Sequence, residues 1–212
     1  MTTRHKIQGR RGVTLIEAVL FISIALGLIV GGLVFFQQAS LAARTNDAVR
    51  SISSIASETR AAYRTQDNFS GLDASVLISA GAVPTSQVNQ AQGTIVSEWN
   101  TNVTVEGSDA TIYTGSGLTG YANSFFVITY ENIPEAACTR LTTASDGNGP
   151  IGPGIVTVFV QDSAQTPALH VASDGANDLV DVNGRVTITP GQAADMCGQG
   201  PAPVDVSWVL SR

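Results

Sequence analysis

A chain of 212 residues fits one ordinary domain plus an appendage, since single domains run to roughly 100–200 residues. Hydrophobic residues make up 43 % and charged residues only 13 %, well under the quarter usual for soluble domains. Arg4, Lys6, Arg10 and Arg11 all precede residue 13; residues 13–212 hold seven arginines, no lysine and 17 acidic residues, a formal charge of −10 that excludes charge-driven nucleic-acid binding.

Residues 13–36 read VTLIEAVLFISIALGLIVGGLVFF, with Glu17 as the only charge. As a helix this run extends roughly 36 Å, enough to cross a hydrocarbon core. The basic cluster before it, and no Lys or Arg again until Arg44, put the N-terminus on the cytoplasmic side. Three readings compete. A secretory signal with its cut after Ser40-Leu41-Ala42 would free a soluble binding domain, but the apolar stretch is too long and holds an acid. A plain anchor fits the length and leaves Glu17 unexplained. A carboxylate in an apolar helix costs several kcal/mol unless paired or neutralised. A cut between Gly12 and Val13 supplies the partner: the new amine of Val13 in one copy can meet Glu17 of a neighbour. That pairing works at one axial stagger, so it sets the register of assembly.

The residues Arg10-Arg11-Gly12-Val13-Thr14-Leu15-Ile16-Glu17 resemble the processing site of type IV prepilins, with Gly before the cut and Glu as fifth mature residue. The resemblance implies a leader of residues 1–12 removed by a prepilin peptidase, methylation of the new N-terminus, and an apolar helix retained as filament core. Val stands where many members carry Phe, and the apolar run has no proline; Val at this site and a mature length of about 200 residues point to the type IVb subgroup. Gly27, Gly31 and Gly32 are either weak points, each costing about 1 kcal/mol in a helix, or small surfaces that let helices approach.

The helix is expected to continue through residues 37–64. Leu41, Thr45, Ala48, Ile52, Ile55, Thr59 and Ala62 recur at helical spacing, widened by Val49, Ala56 and Tyr63. Arg44, Asp47, Arg50, Ser54, Ser57 and Arg60 fall opposite. Beyond lies a head, residues 65–212. Residues 72–80 predict a short helix ended by Gly81 and Pro84. Strands are predicted at 95–99, 102–106, 125–130 and 155–161, the run FFVITY being continuous enough to be central. Residues 135–141 predict a helical turn carrying Cys138, residues 179–188 a hairpin on Asn183-Gly184, and residues 204–210 a final strand. A long helix followed by antiparallel strands is an α+β fold, the helix covering one face of the sheet.

Cys138 and Cys197 lack metal-ligand spacing: two free thiols if the domain stays in the cytosol, one disulfide if it is exported. Residues 70–72, 80–84 and 126–134, running into Ala137-Cys138, resemble the type IVb pilins of conjugation-associated thin pili. That resemblance implies a C-terminal disulfide loop closed by Cys138 and Cys197.

No catalytic motif stands out, His170 is the only histidine outside the leader, and no cofactor is expected. Asp174, Asp178 and Asp181 are a weak calcium candidate without the EF-hand order of ligands. The expected function is the major subunit of a type IVb-like pilus, a helical homopolymer. The expected partners are copies of itself, a prepilin peptidase and assembly machinery in the inner membrane. The expected location is that membrane, then an extracellular filament. Adhesion, aggregation or mating contact would follow from the head surface. A minor pilin or a pseudopilin of a secretion system is the alternative within the class.

Overall fold

The computed structural model describes residues 14–108, 112–114, 117–119, 125–145, 151, 154–162, 188–198 and 203–212. It divides into two compact units, Met1–Ala42 and Ala43–Arg212, and one helix, α1 (Leu15–Ala62), contributes to both. Within the first unit the described residues after Thr14 are helical throughout.

In the second unit, α1 buries Thr45, Ala48, Val49, Ser51, Ile52, Ile55, Ala56 and Thr59. These are seven of the ten positions the stripe marks, with Ser51 added; Leu41 and Tyr63 are half-buried and Ala62 is exposed. Arg60, placed opposite the stripe by its spacing, is instead partly buried. Its long planar side chain reaches across so that the guanidinium carbon lies 5.6 Å from the Phe126 ring centroid.

A short helix follows, α2 (Ala74–Ser79). It starts two residues later than residue 72 because Asp73 caps it, accepting from the Ser75 amide at 2.8 Å. It ends where Gly81 takes φ +72°, with the Ala82 amide returning to the Leu77 carbonyl. A 3-10 turn (Thr85–Gln87) leads into a hairpin of β1 (Val88–Asn89) and β2 (Thr94–Val96). β2 stops short of Trp99 because residues 97–101 form a turn, with Asn100 at φ 61° and the Ser97 and Thr101 hydroxyls 2.6 Å apart.

Next come β3 (Asn102–Ser108), a separate two-stranded ribbon of β4 (Ile112–Thr114) and β5 (Gly117–Thr119), and β6 (Phe125–Ile133). Pro134 then opens α3 (Glu135–Thr143), followed by β7 (Ile155–Asp162), α4 (Pro190–Gly198) and β8 (Val204–Leu210). The main sheet is antiparallel at each pairing, in the order β1-β2-β3-β6-β8-β7. β6 is therefore central, as its unbroken apolar run predicts, and the C-terminal strand β8 inserts between β6 and β7.

Register puts Val105, Ile128, Trp208 and Val158 side by side across four strands. This row belongs to the same core cluster as Ala48, Ile52 and Ile55 of α1, so the helix covers that face of the sheet. Tyr130 and Trp208 meet edge to face at 5.7 Å. On the opposite face Val127 and Val209 form a smaller cluster with Phe125, Val156 and Phe159, beside a buried Thr129–Ser207 hydroxyl pair at 2.8 Å.

The predicted hairpin on Asn183-Gly184, and His170, lie outside the described residues.

Candidate functional site

The feature that soluble packing does not account for is the apolar part of α1. Every large apolar side chain from Leu15 to Phe36 is between 51 % and 85 % exposed. Each costs about 1.5–3 kcal/mol in water relative to burial, so a run of this length requires an apolar surrounding. Its length and composition suit a membrane span of roughly 33 Å. Within the run Ser23 satisfies its own hydroxyl by donating to the Val19 carbonyl at 2.8 Å.

Glu17 lies in the first turn of this helix and is exposed. Among the described residues it has no ion-pair partner; the one salt bridge there joins Arg50 to Asp47 at 3.6 Å, on the exposed surface. A carboxylate at a helix N-terminus gains about 0.3–1 kcal/mol from the macrodipole. That is several-fold less than the cost of holding it ionised in an apolar medium. Held ionised in such a medium, it calls for a partner beyond the described residues. Gly27, Gly31 and Gly32 sit within unbroken helix, and a Cβ at any of them would meet nothing within 4 Å. Gly12 and Val13, and the calcium candidates Asp174, Asp178 and Asp181, lie outside the described residues. Among those that are described, no cluster of three metal-ligating side chains occurs.

In the head, Cys138 of α3 and Cys197 of α4 are joined as a disulfide, with Cα atoms 5.9 Å apart and a sequence separation of 59. Both are fully buried in the main core. α3 is anchored from behind: the Trp208 indole donates to Ser145 Oγ at 2.5 Å, and Ser145 donates to the Leu141 carbonyl at 2.7 Å. α4 was not foreseen from sequence, although its signal is present. Thr189 and Gln192 form a reciprocal cap, the Gln192 amide donating to Thr189 Oγ1 and the Thr189 amide to Gln192 Oε1 at 3.0 Å. Pro190 stands at the first helical position, where it is best tolerated.

Two further features escaped the sequence reading. The chain's last residues tie down the end of α1: Arg60 Nε donates to the Ser211 carbonyl at 2.9 Å, and Arg212 donates to the carbonyls of Tyr63, Arg64 and Gln66. A polar groove of about 510 Å3 lies between α1 and residues 84–98, lined among others by Asp47, Arg50, Ser51, Gln87 and Glu98.

Comparison with known proteins places this geometry. The family model described as PilS N terminal matches residues 42–209. Two curated relatives, the major structural subunits of bundle-forming pilus from Escherichia coli O111:H- and from Escherichia coli O127:H6 (strain E2348/69 / EPEC), are each 24 % identical over 200 residues. Each alignment covers 94 % of this chain and 94 % of the relative. Among solved structures, TcpA, a type IV pilin from Vibrio cholerae El Tor biotype, superposes with a TM-score of 0.51 at 17 % identity, covering 79 % of this chain and 99 % of that one. At that identity the likeness is one of fold.

Proposed function

Because the chain belongs to the PilS N-terminal family, we propose that it is the major structural subunit of a type IVb pilus, polymerised through its N-terminal helix. The observation that carries this reading is the uncovered apolar face of α1 from Leu15 to Phe36, which suits a membrane before assembly and neighbouring copies of itself afterwards. Relatives of similar length that are major structural subunits of a pilus support it.

The finer steps follow from the sequence at the start of that helix. Residues 1–12 are a leader, and a prepilin peptidase cuts between Gly12 and Val13 while the precursor sits in the inner membrane. The assembly machinery then draws the helix out of the bilayer into a bundle of like helices. There the Val13 amine of one copy pairs with Glu17 of its neighbour. The carboxylate has no partner among the described residues of its own chain, and an intermolecular amine neutralises it at one stagger only. The head, closed by Cys138–Cys197, forms the filament surface.

The test is the N-terminal residue and intact mass of protein sheared from producing cells. A chain starting at Val13, with or without one methyl, is the expected result; a start at Ala43 would mean ordinary secretion and end the filament reading. Glu17→Ala is expected to leave the precursor inserted and folded while abolishing or shortening filaments in electron micrographs. Filaments of normal length from that variant would remove the register role.

A further inference from the structure

Glu98, just past β2, has no part in the assembly reading. It lines the groove between α1 and residues 84–98, and a short chain of hydrogen bonds crosses there. Ser51 Oγ donates to Gln87 Oε1 at 2.8 Å, and Gln87 Nε2 donates to Glu98 Oε1 at 2.7 Å. From beneath, the Tyr130 side chain of β6 faces Ser51. The other carboxyl oxygen, Glu98 Oε2, is enclosed and has no hydrogen-bond partner.

An ionised carboxylate with one oxygen shut away from both water and donors is costly, and the neutral acid is less so. The donors it has, the Gln87 amide and its own backbone amide, do not offset burial. α1 presents Asp47, which repels it, and Arg50, which pairs with Asp47 and is largely solvated. β6 presents Tyr130, whose own hydroxyl is pushed up by burial and stays neutral. The 3-10 turn contributes only the amide of Gln87.

We propose that Ser51, Gln87 and Glu98 form a proton-operated latch: with Glu98 neutral, the bond chain holds residues 84–98 against α1, and ionisation of Glu98 loosens that segment. The segment carries β1, the outer strand of the main sheet on that side, so the latch sets how firmly this edge of the head is closed. Burial first, then Asp47, raises the Glu98 carboxyl above its ordinary 4.5, against the lowering effect of its own backbone amide and Gln87. The folded chain therefore holds a proton that the unfolded chain has lost, in the window from 4.5 up to the raised value. Stability from this group is present below that window and falls as pH rises through it.

The test compares wild type with Glu98→Gln, full-length in detergent micelles. The amide keeps the acceptor for Gln87 and mimics the neutral acid. Between about pH 5 and pH 7.5, amide protection of residues 84–98, corrected for intrinsic exchange, is expected to drop about threefold or more in wild type relative to β6 and β8, and to hold in the variant. The variant's Tm is expected to exceed wild type by about 2 °C at the higher pH and to match it at the lower. Equal pH profiles, or a variant less stable at the higher pH, would overturn the latch. Asp47→Asn, outside the bond chain, removes a charge that raises the Glu98 carboxyl, so the loosening is expected to move to lower pH with a smaller amplitude; an unchanged or higher midpoint overturns the repulsion by Asp47.

Discussion

Gly154 shows how much one missing methyl group can matter. It stands at φ +92°, in the region that favours glycine, and an added Cβ would lie 2.5 Å from the Arg60 guanidinium. That guanidinium cannot easily move, because its Nε is bonded to the Ser211 carbonyl and its face lies over Phe126. The Ser211 amide in turn donates to the Gly154 carbonyl at 2.8 Å, so a shift on either side breaks the other. Gly154→Ala is therefore expected to destabilise the head by about 1–3 kcal/mol, read as a lower Tm of the full-length chain in detergent. By contrast, removing the exposed Arg50–Asp47 pair with Arg50→Ala is expected to change unfolding by less than about 1 kcal/mol, since surface pairs are worth little.

The elements differ in how far the sequence exposes them. β8 is legible to the residue, because Val204, Val206, Trp208, Val209 and Leu210 are apolar residues of high strand propensity bounded by Pro203 and Ser211. α4 is not, because Pro190-Gly191 looks like a turn unless Thr189 and Gln192 are read together as a cap. Strand order is a long-range property: nothing in residues 204–210 says that they lie between β6 and β7. The groove is hidden for the same reason, since Ser51 and Gln87 meet across 36 positions. Glu17, on the other hand, is conspicuous in sequence because its oddity is local, an acid in an apolar run. The disulfide links two helices whose buried faces are small, chiefly Ala137, Cys138, Leu141, Ala193 and Cys197. Closing so long a loop stabilises the head by roughly 4 kcal/mol in the chain-entropy account. Cys138→Ser is accordingly expected to lower Tm sharply and reduce subunit levels, with reductant giving the wild type a similar loss; indifference to both would leave the bridge without a structural role.

At the scale of the whole molecule, cohesion and repulsion come from different parts of the chain. The apolar helix holds copies together by contacts that salt barely affects, while the chain from residue 13 onward carries seven arginines against 17 acids. Regularly repeated subunits with a formal charge of −10 from residue 13 onward repel one another between filaments more than the bundled helices can offset at a distance. The reach of that repulsion is about 30 Å at 0.01 M salt and about 10 Å at 0.1 M. Sheared filaments are therefore expected to stay single at low ionic strength and to associate side by side as salt rises, followed by light scattering and electron micrographs. Filament length is expected to change little over the same range, because the proposed axial contact between Glu17 and the Val13 amine would lie among apolar side chains and be screened less than surface charge. Bundles that dissolve as salt rises would point the other way, to lateral ion pairs made by exposed arginines such as Arg44 and Arg140.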